Sequence, residues 1–125
     1  MEEAQKIFVD SLSRIQTIRQ AEAAAVQYWG KDIPITVLLA ELGRAIMKNF
    51  DEFSREDRIY IFDVIERGMN SSDNTLNTAV ATGLLEAISG QISKDPNLQK
   101  KVDAQLGEAS KKYLIDWSDW HNSGA

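Results

Sequence analysis

The chain has 125 residues, 43% of them hydrophobic and 26% charged, a length and composition that suit one domain with a real core. A formal charge of −5 and a pI near 4.8 disfavour nucleic-acid binding, which needs a basic face, and favour a basic protein partner. The absence of cysteine excludes disulfides, thiolate metal sites and a cysteine nucleophile and fits a reducing cytoplasm, while no apolar run reaches the roughly 18 residues of a membrane span and the acidic MEEAQKIF start is unlike a signal peptide.

With two prolines, seven glycines and abundant Ala, Leu, Ile, Glu, Gln and Lys, the composition predicts an all-α fold. Residues 1–125 read as a single helical domain, a bundle of about five to six helices, with a short helical superhelix as the alternative. Ala4, Phe8, Leu12, Ile15, Ile18, Ala25 and Trp29 recur at spacings of three, four or seven, which predicts one long helix from Glu2 to about Tyr28. Gly30 marks its stop. Asp32 to Pro34 opens a second helix, which runs to about Asn49 and buries Ile35, Leu38, Leu39, Leu42, Ala45 and Ile46.

Ser54, with Asp57 three residues later, forms a variant capping box for the third helix. Arg58, Ile61, Phe62, Ile65 and Met69 define its inward stripe. Glu56, Ile59, Tyr60, Asp63 and Glu66 gather on its outward face, with Arg67 beside them. Gly68 to Ser72 breaks the chain before a central helix from Asp73 to Lys94. That helix is apolar on one side and carries Ala79, Gly83 and Gly90 on the other. Each glycine in a helix interior costs about 1 kcal/mol relative to alanine, so a close backbone approach is expected to compensate. Glu86 lies on the same small-residue side, and an ion pair with Arg44 or Arg67 is expected there. Asp95-Pro96 starts a short polar helix to about Leu106, and the last helix follows from about Glu108 to His121.

Chemistry-bearing patterns are sparse. His121 is the sole histidine, which rules out the usual zinc ligand sets. No serine has the glycine elbow of a nucleophile, and no glycine-rich loop precedes a helix. The acids Asp51, Glu52, Glu56, Asp57, Asp63 and Glu66 are intermixed with Arg55, Arg58 and Arg67, the pattern of a solvated helix face rather than a cation site. Accordingly no catalytic residue, metal or cofactor is expected, and the chain is read as a non-enzyme. Trp117 is placed in the core and Trp120 at the edge of the apolar stripe, where a tryptophan can also anchor a partner.

Two segments carry a family likeness: Asn74 to Ile88 (NTLNTAVATGLLEAI), and Leu106-Gly107 followed by Ser110, Tyr113 and Trp117. Over these residues the chain resembles small, acidic, all-helical bacterial immunity proteins of contact-dependent inhibition and other polymorphic toxin systems. The resemblance implies a cytoplasmic protein that neutralises a cognate protein toxin and performs no chemistry itself. An acidic immunity protein suits a basic nuclease whose cleft it occludes. The expected partner-binding residues are Asp51, Glu52, Glu56, Ile59, Tyr60, Asp63 and Glu66, with Trp120 as an outlying anchor. A non-enzymatic adaptor or oligomerising bundle that associates through its C-terminus is the competing reading. Neither leaves a role for nucleic acid or membrane, and the oligomeric state stays open.

Overall fold

The computed structural model describes residues 1–123, with side chains through Trp120, so the side chain of His121 lies outside the described residues. All regular structure among them is helical: α1 (Glu3–Leu12), α2 (Gln16–Trp29), α3 (Ile35–Lys48), a 3-10 turn (Phe50–Glu52), α4 (Arg55–Met69), α5 (Asn74–Ala79), a π turn (Val80–Leu85), α6 (Glu86–Ile92), α7 (Pro96–Asp103) and α8 (Glu108–Ser123). α5, the π turn and α6 run on without leaving helical backbone angles, so they form one central helix over 74–92. The described residues therefore form seven helices, slightly more than the expected five to six. They surround one core cluster that includes Phe8, Leu12, Leu38, Leu42, Ile61, Ile65, Leu84, Ile88 and Val102, the arrangement of a bundle.

The additional helix arises at the start of the chain. The single helix expected from Glu2 to Tyr28 is broken at Ser13, where the backbone leaves α1, and Ile15 is extended (φ −78°, ψ 121°). Ser13 is buried and its hydroxyl donates to Glu22 Oε1 at 2.7 Å, while the Ile15 amide closes a turn on the Leu12 carbonyl. A serine with a local polar partner competes with the helical ladder, and the apolar spacing on both sides concealed the break. Phe8, Leu12, Ile18 and Ala25 of the expected stripe are buried, but Trp29 is 52% exposed. It stands in the last turn of α2, past the body that covers Ile18 and Ala25.

Helix starts follow local chemistry closely. Ser54 accepts the Asp57 amide, Asp73 the Leu76 amide and Asp95 the Leu98 amide, each satisfying one of the free donors of a first turn. Pro96 sits in the first turn of α7, and Pro34 stands one residue ahead of α3. α2 ends at Gly30, whose φ of +95° is strained for other residues.

The central helix packs chiefly on α3, and small residues set the distance. A Cβ placed on Gly83 would lie 2.6 Å from the Thr36 carbonyl oxygen, and one on Gly43 2.8 Å from that of Leu84. The expected close approach is therefore present at Gly83, and α3 supplies a second glycine to it. It is absent at Gly90, around which a Cβ would find open space. A π turn holds more residues than an α turn, so positions after it no longer continue the face of positions before it. Gly90 is exposed, whereas Gly83 is buried against α3.

Candidate protein-interaction surface

α4 and the turn before it carry most of the residues expected to bind a partner, and the structure divides them into two groups. Glu56 and Asp57 fill the first turn of α4, where carboxylates oppose the positive end of the helix dipole. Glu52 and Glu56 are exposed, and Ile59 is 52% exposed between them and Asp63. Asp63 is exposed and pairs with Arg67 one turn on, at 3.1 Å. These residues form a ridge. Beside it an open cleft of about 300 Å³ is lined by Ile59, Phe62, Asp63, Glu66, Gln105 and Gly107.

The second group is engaged by other parts of the chain. Tyr60 is half-buried and its hydroxyl donates to the Ser11 carbonyl at 2.7 Å, tying α4 to the end of α1. Asp51 takes Lys101 Nζ at 2.9 Å, which fastens α7 to the 3-10 turn, and Arg58 lies 3.8 Å away. The same Arg58 donates to the Phe50 carbonyl and stacks on the Phe50 ring, 4.5 Å from its centroid.

Glu66 is the most heavily used of the eight. Its Oε2 accepts the Ala109 amide at 2.7 Å, and its Oε1 accepts the Ser110 amide at 3.0 Å and the Ser110 hydroxyl at 2.7 Å. A carboxylate from α4 thus caps the first turn of α8, which follows Gly107, a residue with no side chain to offer. Gly107 makes room for it, since a Cβ there would fall on the Glu66 carboxylate. Burial alone would raise the Glu66 carboxyl, but the hydrogen bonds from Ser110, Ala109 and Asn70 together hold it below its ordinary value.

Glu86 corrects another expectation. Its partner is neither Arg44, which pairs with Glu41, nor Arg67. The Tyr113 hydroxyl donates to Glu86 Oε2 at 2.5 Å, and α8 is held to the central helix by this bond. Burial, then the hydrogen bond to Glu86 and its charge, push the Tyr113 phenol well above its ordinary range. Two acids, Glu66 and Glu86, therefore dock the last helix, and neither role was visible from spacing on its own helix.

Trp120 is 70% exposed on α8, ten residues beyond Ser110 and so about 15 Å further along the helix from the Glu66 cap. It does not join the α4 ridge. Trp117 is half-buried rather than enclosed. Two features escaped the sequence reading: a groove of about 410 Å³ between α1 and α4, floored by Phe8, Val64 and Leu76, and the exposed pair Tyr28 and Trp29. Among the described residues no three His, Asp or Glu side chains converge as a metal site would require, and no helix is long and apolar enough to cross a membrane.

Fold and surface together define an all-α domain whose notable exterior features are an acidic ridge and several exposed aromatics. The chain belongs to the family described as a domain of unknown function, DUF7674, whose model matches residues 10–122. No curated protein and no solved structure matches it.

Proposed function

We propose that this domain is a cytoplasmic, non-enzymatic immunity protein of bacterial origin that neutralises a basic toxin, a nuclease in the first instance, by covering its cleft. The observation that carries the reading is the α4 ridge, where Glu52, Glu56 and Asp63 surround the half-exposed Ile59. Carboxylates around a small apolar contact complement a phosphate-binding cleft in both charge and shape. The family likeness of 74–88 and 106–117 to toxin-neutralising proteins points the same way. Tyr60 and Glu66 tie α4 to its neighbours, Asp51 is taken by Lys101, and the ridge residues Glu52, Glu56, Ile59 and Asp63 make the contact.

Reversing the ridge tests it. The triple variant Glu52→Lys, Glu56→Lys and Asp63→Lys alters exposed side chains and keeps the Glu66 cap. Binding to the cognate toxin should weaken by at least about 100-fold, with much of the loss in the association rate at low salt. Unchanged protection of toxin-expressing cells by this variant would remove the ridge from consideration. The second reading, an adaptor that self-associates through its C-terminus, draws on the exposure of Ile115 (54%) and Trp120 (70%) on α8.

A further inference from the structure

The last turn of α2 combines three properties that point to a cationic ligand. Tyr28 is 82% exposed and Trp29 52%, and their rings meet edge to face at 5.4 Å. Trp and Tyr are enriched in binding hot spots. Second, the helix ends without a basic residue in its final turn. The Gly30 amide returns to the Val26 carbonyl, and the Ile33 amide donates to the Gly30 carbonyl. The carbonyls of Gln27, Tyr28 and Trp29 thus accept no hydrogen bond among the described residues, leaving the negative end of the helix dipole open. Third, the exposed Asp32 carboxylate follows in the same turn, and Lys31 between them makes no ion pair among the described residues.

We infer that the Tyr28–Trp29 edge is an anchor for an arginine of a basic protein partner. A guanidinium is planar, weakly hydrated and rich in donors, so it can lie on an aromatic face while its N–H groups meet carbonyl oxygens. Open carbonyls, two rings and a carboxylate are the complement of that group. A neutral apolar side chain would leave the carbonyls unsatisfied, and an anion would be repelled by the helix end. The inference shares with the proposed function only the expectation of a basic partner. α2 pairs with α3 and makes no substantial contact with α4, so the anchor is a separate surface from the acidic ridge.

The test uses the full chain labelled with 15N and a short peptide of alternating glycine and arginine, with a citrulline version as the neutral isostere. Titration of the arginine peptide should give saturable shifts at the amides of residues 28–33 and at the Trp29 indole. The citrulline peptide should give none. In the double variant Tyr28→Ala and Trp29→Ala, where both side chains removed are largely exposed, affinity for the arginine peptide should fall about tenfold. Shifts confined to residues 51–63 would overturn the anchor while leaving the ridge intact. Equal shifts with citrulline, or unchanged affinity in the double variant, would overturn it as well.

Discussion

Glu66 sits on one helix and closes the start of another, and its titration therefore reports on the docking of α8. Its carboxyl is held below the ordinary value of 4.5, which means that the folded state binds its proton less readily than the unfolded chain. The stability it contributes is complete above that ordinary value and is lost as pH falls through the lower, folded value. Glu66→Gln should cost about 1 kcal/mol at neutral pH, as the loss of a helix cap does, and should flatten the acid limb of the stability curve. Urea denaturation from pH 3 to pH 7, with amide exchange over 108–114, measures both. An acid limb as steep as that of the wild type would show that Glu66 does not carry this dependence. Tyr60 offers the same lesson in a simpler form. Helical spacing put both residues on the outward face of α4, but the groups they meet, 43 to 49 positions away in sequence, draw them into contact with α1 and α8. Periodicity fixes the direction of a side chain and carries no record of what stands opposite.

At the scale of helices, the start signals were legible because capping is local: Ser54, Asp73 and Asp95 each bond an amide three residues on. The break at Ser13 and the π turn at Val80–Leu85 were not, since both interrupt a helix whose apolar spacing continues across them. The central helix has a measurable contrast in its two glycines, Gly83 in the π turn and Gly90 in α6. Gly83→Ala would drive a methyl group against the Thr36 carbonyl, a backbone atom of α3 that can yield only if the helix moves. A destabilisation of about 1–3 kcal/mol is expected, the usual cost of overfilling a packed contact. Gly90→Ala meets open space. It should stabilise by about 0.5–1 kcal/mol, because alanine loses less backbone freedom on entering a helix. Chemical denaturation of the two variants should thus shift in opposite directions. A common direction would mean that the two glycines have equivalent surroundings, contrary to the close contact at Gly83 and the open space at Gly90.

For the whole molecule, the open question is whether its exterior serves a foreign partner or a second copy of itself. The charge of −5 opposes pairing of two copies unless apolar area outweighs it. Along α8, Tyr113 and Leu114 pack against the core cluster. Trp117 is half-buried, and removing it should cost about 1–2 kcal/mol of packing. Truncation after Asp116 keeps the Glu66 cap and the Tyr113–Glu86 bond, and so should leave a folded domain with a modestly lower Tm. On the immunity reading the truncated and full chains sediment alike and protect alike, because neither the ridge nor the α2 anchor involves the removed residues. On the adaptor reading the full chain sediments as a larger species, and truncation returns it to the mass of one chain. Sedimentation velocity at several concentrations, run beside a protection assay, separates the two. We expect truncation to leave both measurements unchanged. Loss of a larger species on truncation would move the functional surface from α4 to the end of α8.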